Sequence, residues 1–494
     1  MPVPKSHQRS LSLAAVVALL GVAGAAPGAA SAAWTEPVEL ETGVGVAGLS
    51  VDPTGSRLVN ARTATSAGAM NSRILGVKSD RTPEGIRSVR GVMPDPIPWA
   101  KDDLLYARMT SVGTIRRTVP DGKGGTRRVN LTNYRLGVSV GEAVGVKLGT
   151  QRTVATAVLD QPVRLSGTPN GDVVLGWSAV GDDGVVRVNL AWRSARAKGS
   201  TVTLSEPKVI SGSRSSRLLA LGSGSGGRAV VVYETGATDA TRRLYTRSID
   251  VRKGTVGAAQ SLRRGGPGFS SATVTVGPKG RSVIAWGEQD KADERTKPYV
   301  VRGTTRDRDG RFSAPKRLDA GGSLVRPPGG ALVSAIDDAG RVTIAWNQTV
   351  GSVADGTAHD IPRVSEASAT GGLHQPRDIA AAGRVHGLAA AGTTIGLVLV
   401  REQERPLGGS NADRGTALQV GIRPADGLMG VPETVSQFTD SQLLDRSNAY
   451  GAAAIAGLPA GGFTIAWTRA TVERGKLQST TYFSDGPDVV PPAG

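Results

Sequence analysis

Gly277-Pro-Lys-Gly-Arg-Ser-Val-Ile-Ala-Trp286 is the stretch from which the architecture can be read. Pro278 presets φ and Gly280 accepts a positive φ, so the first half closes a tight hairpin. The second half is apolar on successive residues, as expected of a strand covered on both faces, and ends in a large aromatic. The same pattern recurs in Thr168–Trp177, Asp337–Trp346 and Leu458–Trp467. Ser225–Tyr233 is a weaker copy, while Asp52–Ala61 and Gly392–Val400 keep the apolar run without the aromatic.

A second pattern follows each hairpin: an apolar residue, two small or polar residues, Pro, two more residues, then Leu, Ile or Val. Its copies are Trp34–Leu40, Leu159–Leu165, Leu204–Ile210, Phe312–Leu318, Leu373–Ile379 and Met429–Val435, with Ala259 replacing Pro in Val256–Leu262. Proline cannot donate to a ladder, so this segment is expected to be the outermost strand of its sheet. Between the two patterns lies a third strand, such as Val188–Trp192, Leu244–Arg247 or Tyr299–Arg302. Each repeat is therefore expected to be a four-stranded antiparallel sheet.

The marker positions 162, 207, 259, 315, 376 and 432 are 45, 52, 56, 61 and 56 residues apart. That irregular spacing fits a β-propeller, whose blades vary in loop length, better than a solenoid. A sandwich would show alternation along each strand instead. The 125 residues from Pro37 to Pro162 hold about two further repeats, giving eight blades, with seven as the alternative because Gly85–Val158 is weakly patterned. The last repeat, within 448–483, lacks an outer strand, and Trp34–Leu40 is an outer strand with no repeat before it. The two are expected to pair and close the ring, which removes exposed sheet edges.

The Gly hairpin, the terminal Trp and the later Ser-x-Pro-x-x-Leu segment together resemble the repeats of secreted bacterial propellers of the sialidase-like group. The resemblance spans Trp34 to Phe483 and is architectural. The Ser-x-Asp-x-Gly-x-x-Trp turn of sialidases does not occur here, nor does an Arg-Ile-Pro segment near the start of the propeller, so no catalytic residue carries over.

Residues 1–32 have the three parts of a secretory signal: Lys5 and Arg9, then apolar Leu11–Ala25, then Ala30-Ser31-Ala32 before Ala33. The expected organisation is a signal peptide over 1–32, the propeller over 33–486 and a tail over 487–494, in a secreted, extracellular protein. No second apolar run is long enough to span a membrane. Removing the signal leaves 57 basic against 42 acidic residues, a net charge of +15 that favours anionic partners. The 46 Arg and 13 Lys, with abundant Ala and Gly, resemble high-G+C bacterial proteomes, so an actinobacterial source is expected. With 0 Cys there is no disulfide framework, and the core alone must carry stability.

Little in the sequence points to a particular chemistry. His359, His374 and His386 have no ligand spacing, so neither a metal nor another cofactor is expected. Asp307-Arg-Asp-Gly310 and Asp182-Asp-Gly184 read as turns, and Gly222–Gly227 precedes a strand rather than a helix, so it is no phosphate loop. Trp177, Trp286, Trp346 and Trp467 share one place in the repeat and are expected to pack between blades. Loops carry function on a rigid scaffold, and Gly287–Pro298, Asn347–Pro362 and Arg401–Gly415 read as long and charged. Arg62, Arg108, Glu234, Glu288, Arg401 and Glu402 follow the inner hairpins. They are expected to gather on one face at the mouth of the central channel, with Arg62 and Arg401 meeting an anionic group. The expected function is non-catalytic binding of an anionic or carbohydrate ligand, such as a cell-wall polymer, by a monomer without specific nucleic-acid affinity. The alternative is a glycan-cleaving hydrolase of the sialidase-like group, which needs a pair of acids on one face.

Overall fold

The computed structural model describes residues 34–486 except 65–69, 90–93, 101–102, 121–124, 143–148, 160–162, 169, 196–201, 237, 239, 267, 290–298, 308–309, 320–330, 352–358, 406–412, 438–448 and 474–475. The segments expected to be a signal peptide (1–32) and a tail (487–494) lie outside the described residues. Among those described there is no helix, and so none long and apolar enough to cross a membrane.

The described chain opens with β1 (Val38–Thr42), and successive meanders follow. The first is β2 (Gly45–Val51), β3 (Arg57–Ala64), β4 (Met70–Val77) and β5 (Pro83–Val89). The second is β6 (Ile97–Ala100), β7 (Asp103–Pro120), β8 (Thr126–Glu142) and β9 (Arg152–Leu159). The third is β10 (Arg164–Gly167), β11 (Val173–Val180), β12 (Val186–Arg193) and β13 (Lys208–Val209). In the fourth, β14 (Ser216–Gly224), β15 (Arg228–Thr235) and β16 (Arg243–Asp250) are followed by β17 (Thr255–Val256) and β18 (Gln260–Arg264), which both pair with β16. The fifth is β19 (Phe269–Val276), β20 (Ser282–Gln289), β21 (Tyr299–Arg306) and β22 (Lys316–Arg317). The sixth is β23 (Val333–Ile336), β24 (Val342–Val350), β25 (His359–Ala367) and β26 (Arg377–Asp378). The seventh is β27 (Arg384–Ala391), β28 (Thr394–Arg405), β29 (Asp413–Arg423) and β30 (Glu433–Gln437). The last holds β31 (Ala449–Gly457), β32 (Phe463–Glu473) and β33 (Lys476–Asp485). Its fourth strand is β1, which pairs antiparallel with β33, Val38 opposite Phe483.

Each meander packs its first strand against the first strand of its neighbour. β2 meets β6, β6 meets β10, and the contacts run on through β14, β19, β23, β27 and β31, which in turn packs on β2. This succession of four-stranded antiparallel sheets is a β-propeller. The second strands show why their sequences do not alternate. In β15, Ala229, Val231 and Tyr233 face Val188 and Leu190 of the third meander, whereas Val230 and Val232 face Ile284 and Trp286 of the fifth. Both faces are core. Trp177, Trp286, Trp346 and Trp467 are at most 2% exposed and fill the space between neighbouring sheets, as their shared register suggested.

The Pro pattern marks outer strands correctly at Pro207, Pro315, Pro376 and Pro432, which directly precede β13, β22, β26 and β30. Leu159–Leu165 departs from that rule. The outer strand of the second meander is β9, and Arg164 already belongs to β10, the first strand of the next. β9 also pairs with β11 at Leu159 and Val158, which joins the second and third meanders in one sheet. The long loops expected after the Trp residues are partly strand, because the ladders continue past the aromatic. Asn347, Gln348 and Thr349 pair with Pro362, Ile361 and Asp360 and are buried. Residues 290–298, 352–358 and 406–412 lie outside the described residues.

Candidate functional site

In a four-stranded meander the first-to-second and third-to-fourth turns lie on one face of the disc. The second-to-third loops and the links between meanders lie on the other. Three charged groups meet on this second face. Arg62 lies near the end of β3, Asp95 in the link that leads into β6, and Arg164 at the start of β10. Asn60 of β3 donates from Nδ2 to Asp95 Oδ1 at 3.0 Å.

The fold brings Asp95 there by a close approach of backbones. Pro94 and Pro96 hold the link extended, and Ser50 of β2 donates its hydroxyl to the Pro96 carbonyl at 2.5 Å. The Asp95 carboxylate lies over Gly48 so closely that a Cβ at that position would collide with it. Arg62, Asp95 and Arg164 all keep solvent-open surface, and protein packs closely around Asp95 and Arg164. Enclosure raises the affinity of Asp95 for a proton. The hydrogen bond from Asn60 and the charges of Arg62 and Arg164 act against that rise. Enclosure likewise pulls Arg164 below its ordinary value, opposed by Asp95. The two guanidinium groups that act on Asp95 are planar forks, a shape that suits a carboxylate, sulfate or phosphate.

The six residues singled out from sequence all lie on second strands of their meanders, and their surroundings differ. Arg62 belongs to the cluster just described. Glu288 is buried, accepting from Trp286 Nε1 at 2.9 Å and Arg302 Nε at 2.6 Å, with Arg263 Nε at 3.2 Å. It satisfies an indole N–H that Trp packing would otherwise strand. Glu234 faces Arg242 at 4.0 Å on its own meander. Arg108 is half-buried, and its carbonyl accepts from Gln151 Nε2 at 3.4 Å. Arg401 is half-buried, and its Nε is buried with no hydrogen-bond partner among the described residues. Glu402 lies in β28, and its side chain is outside the described residues.

Asn60, Asp95 and Arg164 escaped the sequence reading. A signal for Asn60 did exist. It occupies the register taken by Gly176, Ala285, Ala345 and Ala466 in other copies, so a polar side chain stands where only a small one packs elsewhere. Arg164 was hidden by the Pro pattern, which placed it on an outer strand. Among the described residues no group of three or more His, Asp or Glu is arranged to hold a metal ion.

No family model matches the chain, and no curated protein matches it. Solved structures similar to it include the polysaccharide lyase Uly1, at 8% identity over 94% of this chain and 91% of that one, with a TM-score of 0.42. Another is the β-propeller domain of the Trilobed protease from Pyrococcus furiosus, at 10% identity over 80% of this chain and 99% of that one, with a TM-score of 0.41. A third is the Hadza microbial sialidase Hz136, at 10% identity over 72% and 76% and a TM-score of 0.36.

Proposed function

We propose that the chain is a secreted bacterial protein, a monomeric closed ring of eight units, that binds an anionic carbohydrate at the mouth of its channel. Arg62 and Arg164 grip the acid group of a sugar, and Asp95 and Asn60 accept and donate to its hydroxyls. The observation that carries this reading is the convergence of Arg62, Arg164 and Asn60 on Asp95, at a place open to solvent yet walled by protein. The run of first-strand contacts from β2 round to β31 and back supports the ring. The signal-like segment at residues 1–32 supports secretion. An array of acidic and neutral glycans and cell-wall polymers tests the binding reading. Retention of acidic members only, weakening with salt, is the expected result.

A second reading, glycan cleavage, is favoured by the raised proton affinity of Asp95, which suits a general acid. Hydrolysis by that route needs a second carboxylate, and the charges that act on Asp95 come from arginines. A fluorogenic glycosidase panel run beside the array separates the two. Turnover abolished in Asp95→Asn would favour the enzyme.

A further inference from the structure

β7 and β8 run far beyond their sheet. β9 pairs with β8 only as far as Asn133, opposite Val158, and β6 pairs with β7 only from Asp103 to Leu105. From Thr114 to Pro120, and from Thr126 to Thr132, the two strands pair with each other alone. A free two-stranded ribbon is marginal in water, so something must steady it. Its half-buried face carries Ile115, Val129 and Leu131, and the ribbon is tied to the neighbouring β11–β12 turn. Arg117 pairs there with Asp182, and Gly184, at φ +74°, sits against the Thr118 carbonyl with no room for a Cβ.

The opposite face is exposed and has a different chemistry. Arg116 stands across from Asn130, and Thr118 across from Arg128. The two guanidinium groups are thus diagonal neighbours, with Cα atoms about 7–8 Å apart. Thr114 and Thr132 pair on the same face one row further along, while exposed Arg127 and Arg135 fall, by the alternation of β8, on the other face. The described residues of the ribbon include no acid, and Arg116, Arg127, Arg128 and Arg135 have no acidic partner among the described residues. No aromatic is exposed for stacking on bases, and the face is too polar to enter a lipid surface.

We propose that this ribbon is a docking arm for a linear anionic polysaccharide. Arg116 and Arg128 take successive acid groups of the chain, while the threonines and Asn130 hydrogen-bond its hydroxyls. The arm leaves the disc on the face that carries Arg62, Asp95 and Arg164, so one polymer can reach both. The proposal stands independently of the channel-mouth reading, since no residue is shared.

Co-sedimentation with polygalacturonate, at several salt concentrations, tests it. Arg116→Ser/Arg128→Ser is expected to bind at least tenfold more weakly and with a shallower salt dependence, at an unchanged melting temperature. The same loss is expected in the Arg62→Ala/Arg164→Ala background, which separates failure of the arm from failure of the mouth. Dextran is expected not to bind. Wild-type affinity in the ribbon variant, or tighter binding of wild type to duplex DNA than to polygalacturonate at equal salt, would overturn the proposal.

Discussion

Thr468 Oγ1 accepts a hydrogen bond from the Val46 backbone N–H at 2.7 Å, linking β32 to β2 across 422 positions of the chain. The same link occurs twice more. Ser178 Oγ accepts the Leu218 N–H at 2.8 Å, and Asn347 Oδ1 accepts the Val385 N–H at 2.7 Å. In each case the acceptor directly follows the buried Trp of a second strand. The donor sits at a β-bulge in the first strand of the next meander. The bulge frees an N–H from its own ladder, and the neighbouring sheet takes it up.

Removing that acceptor leaves a buried donor unsatisfied. Thr468→Val keeps the shape and loses the oxygen, so it is expected to cost about 1–3 kcal/mol. Ser178→Ala should cost a similar amount. Thermal unfolding of the two variants checks this, and wild-type melting in both would remove the link from the account.

Trp286 is completely buried, with its indole N–H held by Glu288. Trp286→Ala is expected to cost about 3–5 kcal/mol through lost contacts and the cavity left behind. Glu288 would also lose a donor. Denaturation with the tryptophan removed should show the effect; a melting curve within a degree of wild type would contradict the packing role.

β1 covers the edge of β33, and the salt bridge from Arg57 to Asp485, 2.6 Å long and buried, ties the same two ends of the chain. A protein lacking residues 34–42 is expected to aggregate, because β33 becomes a free edge. Arg57→Ala should destabilise by about 3–5 kcal/mol, as expected when one partner of a buried pair is removed. Removing residues 491–494 should change neither property. Light scattering and melting curves compare them, and identical behaviour of the two truncations would count against closure of the ring through β1.

His386 gives a pH dependence of definite sign. Burial, helped by the charge of Arg384, lowers its pKa from 6.5 to about 4. Between those values the unfolded chain takes up a proton that the folded protein refuses, so stability falls as pH drops from about 6.5 towards 4. The full span amounts to ~3 kcal/mol. His386→Gln should flatten this part of the profile relative to wild type. Equal slopes for the two proteins between pH 6.5 and 4.5 would refute it.

The repeat was legible because turn chemistry and double-sided burial both leave marks in a linear sequence: Pro-x-Gly before the strand and Val-Ile-Ala-Trp within it. Long-range convergence leaves none. Asp95, Arg62 and Arg164 come from three meanders, and only the packing of β2, β6 and β10 brings them together. The basic ribbon was missed for another reason. Its strands alternate between a half-covered and an open face and carry few apolar residues, so nothing in 111–135 resembles the core strands. The near-mirror Arg116-Arg-Thr-Val-Pro and Thr126-Arg-Arg-Val about a Gly-rich turn was its one signal. Glu288 shows the converse error, an acid read as a loop charge that the fold uses to satisfy an indole.

The central claim is that Arg62 and Arg164 hold the acid group of a sugar. Calorimetric titration of the protein with trigalacturonate, beside maltotriose as its neutral counterpart, tests it most directly. Wild type should bind the acidic sugar only, and Arg62→Ala/Arg164→Ala should bind it at least tenfold more weakly while melting as wild type does. Equal affinity in the two proteins, or no binding of trigalacturonate by wild type, would contradict the account.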